Sequence, residues 1–250
     1  MTLPASFIAR PFAHRALHDR SDGRPENSRE AIAAAIAAGY GIEIDLQLSS
    51  DDVPMVFHDY DLGRLTGASG AVAQRSAAEL ASIGLSGGPT GIPTLADILG
   101  QVAGRVPLLI EFKDQDGAMG PDVGRLERAA ARLIAAYDGP VAVMSFNPHS
   151  VAVLAEELPD IPRGIVTESY SEASTPTLPA PVRDTLRQIG DFDRVGASFI
   201  SHEAADLDRP RVAELKQRGA TILCWTVRSP EAEAEARKVA EQVTFEGYLA

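Results

Sequence analysis

Residues 41–48, Gly-Ile-Glu-Ile-Asp-Leu-Gln-Leu, alternate strictly between polar and apolar positions, the period-two signature of a β-strand with one apolar face. Upstream, residues 7–17 read as a first strand ending in His14-Arg15. Asn27 with Glu30 three residues later is a capping-box arrangement, predicting a helix through the alanine-rich run 31–38 that stops at Gly39. Residues 49–53 carry turn chemistry, and 54–58 form a second short strand. A Gly/Ser-rich stretch, 62–93, is irregular apart from a helical piece near 76–83. Beyond it helices and strands alternate: helix 94–103, strand 106–113, helix 123–137, strand 141–146, helix 150–157 and strand 163–167. Helix 181–189, strand 197–201, helix 210–218, strand 221–227, helix 230–240 and strand 242–245 complete the series.

Such alternation predicts a parallel α/β sheet with right-handed crossovers. There are nine strand-like runs, but only four or five turn residues separate 41–48 from 54–58, too few for a parallel crossover, so that pair is predicted to be a β-hairpin. A turn centred on Asp51 and Asp52 would set position 49 opposite 54 and position 45 opposite 58. Eight strands remain, which suits one (β/α)8 barrel over 1–250 with an extra hairpin strand after strand 2 and a short insertion; an open doubly wound sheet is the competing arrangement.

Composition narrows the function. The 250 residues are 45% hydrophobic and 23% charged, typical of a globular chain, and no apolar run is long enough to span a bilayer. The amino terminus lacks a basic stretch followed by an apolar one, so no signal peptide is expected and the reading is cytoplasmic. Cys224 is the only cysteine, which excludes an intrachain disulfide and a thiolate zinc site. With 23 basic and 35 acidic side chains the formal net charge is −12, which disfavours nucleic-acid and membrane-surface partners. An anionic substrate would need a local positive site. Lysine occurs only at 113, 216 and 238, so Lys113, near the end of an acidic strand, stands out.

Glu43, Asp45 and Gln47 share one strand face, and Glu111 shares a face with Lys113. Inside a barrel these carboxylates are costly to bury without a cation, and a hard divalent ion, Mg²⁺ or Ca²⁺, held by three of them is the simplest compensation. Ion pairing with lumenal arginines such as Arg15 is the alternative. His14 and His58 fall where barrel loops assemble active sites and titrate in a range suited to general acid–base work. His18, His149 and His202 lie in loops or helix starts without matching acidic partners and are read as structural or solvent-exposed.

In order and spacing, His14-Arg15, Pro25-Glu26-Asn27-Ser28, Glu43-Ile44-Asp45, His58-Asp59, Leu62…Arg64…Thr66-Gly67, Ile92-Pro93-Thr94-Leu95 and Glu111-Phe112-Lys113 resemble the glycerophosphodiester phosphodiesterase family. Ser145-Phe146 and Trp225-Thr226-Val227 fit its later strands. The resemblance implies a TIM barrel with one divalent cation on Glu43, Asp45 and Glu111. It implies catalytic imidazoles at His14 and His58, phosphate contacts from Arg15 and Lys113, and Trp225 beside the glycerol. The implied reaction converts a small-molecule glycerophosphodiester into sn-glycerol 3-phosphate and an alcohol. A phospholipase-like lysophospholipid or inositol phosphodiesterase on the same barrel, or a non-catalytic phosphodiester-binding barrel, are the alternatives. Three departures from the family pattern are Ala16 for a glycine, Ser28 for a threonine, and Thr244-Phe245-Glu246-Gly247 where many members carry threonine–aspartate.

Overall fold

The structure, a computed structural model, describes residues 2–250. The chain begins with α1 (Ser6–Ala9), β1 (Phe12–Ala13), α2 (Arg29–Ala38), β2 (Gly41–Leu48) and β3 (Pro54–Val56). It continues through α3 (Ala77–Ser82), α4 (Leu95–Val102), β4 (Leu108–Phe112), α5 (Arg125–Ile134), β5 (Val141–Ser145), α6 (Pro148–Glu157) and β6 (Arg163–Thr167). The last third holds α7 (Ala180–Arg187), β7 (Phe199–Glu203), α8 (Pro210–Gln217), β8 (Thr221–Val227), α9 (Pro230–Ala236) and β9 (Gln242–Phe245).

The strand order is β1-β9-β8-β7-β6-β5-β4-β2-β3, and β1 also pairs with β2. All ladders are parallel except β2–β3, so eight strands close into a barrel and the antiparallel β3 lies outside it. A TIM barrel results, and the open sheet is excluded. Closure removes the sheet edges that an open arrangement would expose.

The alternation along β2 sorts its two faces. Ile42, Ile44, Leu46 and Leu48 pack with Leu108, Ile110 and Phe112 in the large cluster beneath the helices. The lumen is filled lower down by Phe7, Phe12, Leu109, Ala142, Val166, Phe199 and Leu223. Phe7 stacks on Phe12 with ring centroids 5.8 Å apart, so α1 closes the base. Gly41 makes room for this plug, because a Cβ there would lie 2.8 Å from the Phe12 ring. The insertion after β3 has its own small core of Met55, Phe57, Leu62, Leu65, Val72, Leu80, Leu85 and Ile92.

Several sequence expectations shift. The opening strand shrinks to Phe12–Ala13, because residues 6–9 form a helical turn. The N-cap of α2 is Ser28, whose hydroxyl accepts from the Ala31 N–H, while Asn27 adopts a left-handed φ of 57°. The hairpin register is displaced by one, pairing Leu46 with Val56 and Leu48 with Pro54. The cause is a five-residue connection in which Ser49 N–H donates to Val53 O at 3.1 Å and Asp52 takes φ 61°. Strand β7 starts two residues later than its pattern suggests. Ala197 is taken up by a turn, its N–H donating to Phe192 O at 3.0 Å.

Candidate active site

At the carboxyl ends of the strands a cavity of about 220 Å³ is lined by His14, Arg15, Glu43, His58, Glu111, Lys113, Met144, Phe146, Ser201, Trp225, Thr226, Arg228 and Thr244. Open α/β-barrel ends are where such sites form. One part of the lining is charged; Met144, Phe146 and Trp225 supply an apolar part. Phe146 meets Trp225 edge to face with centroids 5.5 Å apart, and the indole N–H donates to Ser201 O at 2.9 Å.

The polar wall is set by register. In the β2–β4 ladder Asp45 pairs with Glu111, both inward, and Glu43 lies one inward step below Asp45. Glu43, Asp45 and Glu111 are 2%, 1% and 7% exposed, and each places a carboxylate oxygen within 4.8 Å of the other two. Lys113 Nζ lies 2.7 Å from Asp45 Oδ1 and also contacts Glu111. Arg15 Nε is 3.7 Å from Asp45 Oδ2, and its Nη1 donates to Glu26 at 2.7 Å. Asn27 Nδ2 donates to Asp45 Oδ2 at 2.8 Å. Ion pairing, the alternative to a metal in the sequence analysis, therefore exists at Asp45, but more closely through Lys113 than through Arg15.

These partners are unequally shared. Burial raises the Asp45 carboxyl, but Lys113, His58 and Arg15 outweigh it and hold the group well below the carboxylate range. Burial, reinforced by the Asp45 and Glu111 charges, pushes Glu43 well up. Burial also raises Glu111, with Lys113 opposing and Asp45 adding to the rise. Among the described residues Glu43 forms no ion pair, its carboxylate accepting only the Arg15 backbone N–H at 2.8 Å. Three clustered oxygen donors, one without a cation, fit a hard divalent ion. That backbone contact requires left-handed φ at Arg15 (53°) and Ala16 (66°), where an L-residue costs about 1–2 kcal/mol.

Both expected histidines face the cavity, and each bonds a carboxylate through Nδ1: His14 to Glu246 Oε2 at 2.6 Å and His58 to Asp59 Oδ1 at 2.6 Å. Burial lowers both imidazoles, His58 to about 4, where the nearby Lys113 charge adds to the effect. Asp59 is gripped by Arg64, which also reaches Glu26 with two bonds of 2.8 and 2.9 Å. Glu246 is gripped by Arg228 at 2.7 Å. All eight sequence-selected residues thus meet at one barrel mouth, seven lining the cavity and Asp45 buried behind them.

The sequence reading missed Glu246, Arg228, Ser201 and the supporting role of Asn27. For Asn27 a signal existed, since Asn tolerates left-handed φ and would bond locally. For Glu246 the hints were the period-two phase of β9, with Gln242 and Thr244 on the same face, and its place where many family members carry threonine–aspartate. His202, expected in a loop or helix start without an acidic partner, instead sits in β7, fully buried between Thr167 Oγ1 at 2.7 Å and Asp206 at 3.2 Å. Among the described residues no helix is long and apolar enough to cross a membrane.

The sequence model of the glycerophosphoryl diester phosphodiesterase family matches residues 14–246. YhdW of Bacillus subtilis (strain 168), to which glycerophosphodiester phosphodiesterase activity is ascribed, is 27% identical over 233 residues, covering 90% of this chain and 88% of its own. Among solved structures, a phosphodiesterase of Oleispira antarctica in complex with the product sn-glycerol-3-phosphate superposes with a TM-score of 0.78 at 21% identity, covering 97% of this chain and 94% of that one. The glycerophosphodiester phosphodiesterase of Agrobacterium tumefaciens str. C58 gives 0.70 at 20% identity, with 98% and 96% covered. At these identities the structural likeness speaks for the fold.

Proposed function

This chain belongs to the glycerophosphoryl diester phosphodiesterase family and is a phosphoric diester hydrolase, and from that premise we propose that it acts as one barrel domain on small glycerophosphodiesters, releasing sn-glycerol 3-phosphate and an alcohol. The observation that carries the reading is the convergence of Glu43, Asp45 and Glu111 within 4.8 Å, in a cavity that His14 and His58 also line.

We assign Glu43, Asp45 and Glu111 as ligands to one divalent cation, Mg²⁺ or Ca²⁺. Bound there, it would neutralise phosphoryl oxygens as a Lewis acid. Arg15 and Lys113 add fixed positive charge at the same wall and orient the phosphodiester. Trp225 and Phe146 offer an apolar surface to the glycerol carbons and keep water from that side.

The imidazoles move the protons. With Nδ1 donating to a carboxylate, each ring keeps Nε2 as the nitrogen free to exchange a proton. One imidazole takes the proton of the glycerol 2-hydroxyl as that oxygen bonds phosphorus. The bond from phosphorus to the departing alcohol breaks, and the other imidazole, in its protonated form, delivers a proton to that oxygen. Water then opens the cyclic phosphate with the roles exchanged, giving glycerol 3-phosphate.

Hydrolysis of glycerophosphocholine and glycerophosphoethanolamine, after chelation and on return of Mg²⁺ or Ca²⁺, tests this by detecting glycerol 3-phosphate. Metal-dependent release is expected. No release with either metal, from protein shown to be folded, would overturn the reading. A cyclic phosphate persisting in phosphorus NMR would point to the phospholipase-like chemistry, and metal-dependent diester binding without turnover to a binding barrel.

A further inference from the structure

We propose that Glu246 is a positioning residue for His14, clamped in turn by Arg228, so that the end of the last strand fixes the tautomer and aim of a catalytic imidazole supplied by the first. The inference rests on the proposed role of His14.

The backbone sets the two residues side by side. In the β1–β9 ladder Phe12 pairs with Thr244 and Ala13 with Phe245, and the His14 N–H donates to Phe245 O at 2.9 Å. Thr244 faces the cavity and Phe245 packs outward against Tyr40, so Glu246 returns to the inward face, one step above Thr244. Its own N–H is tied to Val227 O at 3.0 Å, which anchors it to β8 as well.

The side-chain geometry then leaves little freedom. Oε2 lies 2.6 Å from His14 Nδ1, and Oε1 accepts from Arg228 Nε at 2.8 Å and pairs with its Nη2 at 2.7 Å. Both oxygens are engaged from different directions, so the carboxylate cannot swing away from the ring without releasing Arg228. His18 Nε2 stands further off, 3.6 Å from Oε2. An ionised carboxylate can only accept. Nδ1 therefore carries the hydrogen, and Nε2 of a cavity-lining ring is left bare for proton exchange. The His14 and Glu246 side chains are only 13% and 20% exposed, so water competes weakly for the bond.

A plain structural brace is the competing reading, and the geometry argues against it. The β1–β9 ladder and the His14 N–H bond already close the barrel at this seam, with no help from the side chains.

The test compares H14A, E246A, E246Q and the double variant H14A/E246A in the full chain on glycerophosphocholine, with thermal melting of each. Removing the partner that orients a metal-bound imidazole lowers activity on the order of 10–100-fold, and the same scale is expected for a catalytic one. E246A is expected to lose that factor in kcat with KM within about twofold, and E246Q, which keeps an acceptor oxygen, less. The double variant is expected to be no slower than H14A alone, since Glu246 acts through that ring. Imidazole ¹⁵N spectra supply a readout independent of turnover: one tautomer at His14 in the wild type, a mixture in E246A. Wild-type kcat in E246A while H14A is slow, losses that multiply in the double variant, or an unchanged tautomer in E246A would each overturn the positioning role. Wild-type turnover in H14A would overturn the assignment of His14 itself.

Discussion

His58 bonds Asp59, its neighbour in the chain, whereas His14 bonds Glu246, 232 residues away. Each carboxylate is then held by an arginine, Arg64 on one side and Arg228 on the other. The chemistry is the same but the surroundings differ. The His58 arm continues through Arg64 to Glu26 and from Glu26 to Arg15, so it is linked to a proposed phosphate contact. The His14 arm ends at Arg228, whose side chain is 65% exposed. A local sequence pair has been built into a network, and the pair assembled by barrel closure stands almost alone. Perturbing the first should disturb substrate binding as well as proton transfer; perturbing the second should act mainly on proton transfer.

The largest effect comes from removing either ring. His14→Ala and His58→Ala are each expected to lower turnover by roughly 10²–10⁴-fold with the fold retained, the scale of a lost general acid or base. Steady-state rates on glycerophosphocholine, with circular dichroism as the control, decide it. A variant at wild-type rate removes that ring from the mechanism and breaks the symmetry of the two arms.

One step out, Asp59→Ala is expected to lower kcat on the order of 10–100-fold, as for Glu246. It should differ in raising KM several-fold, because Arg64 loses one of its two carboxylates and the Arg64–Glu26–Arg15 chain loosens. An unchanged KM in Asp59→Ala would mean that the network does not reach the substrate, and the contrast between the arms would fail.

The same contrast explains what was legible in the sequence. Strands β2, β6, β8 and β9 occupy the ranges their residue patterns indicate, because strict alternation or β-branched runs leave few other structures. The carboxylates of the cavity were legible for the same reason: a two-residue period decides which side chains face the lumen. What failed depended on single turns or on closure. The hairpin register moved by one because Asp52 adopts a left-handed φ of 61°, which no periodicity reports. A two-residue β1 is too short to carry a pattern and forms because β2 and β9 flank it. The Glu246–His14 pair exists only once the first and last strands are neighbours, so its evidence lay in topology rather than in local sequence.

The smallest effect is on stability in acid, and it also separates the arms. Burial pushes the Asp59 carboxyl up, but the hydrogen bonds from Arg64 and His58 prevail and hold it at about 2, below its ordinary 3.8. A carboxyl whose folded pKa is depressed contributes stability above its unfolded pKa and loses it as pH falls through the folded value. The stability gap between wild type and Asp59→Asn should therefore be constant above about pH 4 and shrink as pH falls toward 2. Partial exposure and salt keep the gap below about 1 kcal/mol. Glu246 is depressed further, first by its hydrogen bond to His14, with burial opposing, so its window opens at a higher pH, near the ordinary 4.5, and extends lower. Urea unfolding of wild type, Asp59→Asn and Glu246→Gln across this range measures both windows. A gap independent of pH in either variant would show that its carboxylate gains nothing from its partners in the folded state. That arm would then be a geometric arrangement without electrostatic consequence.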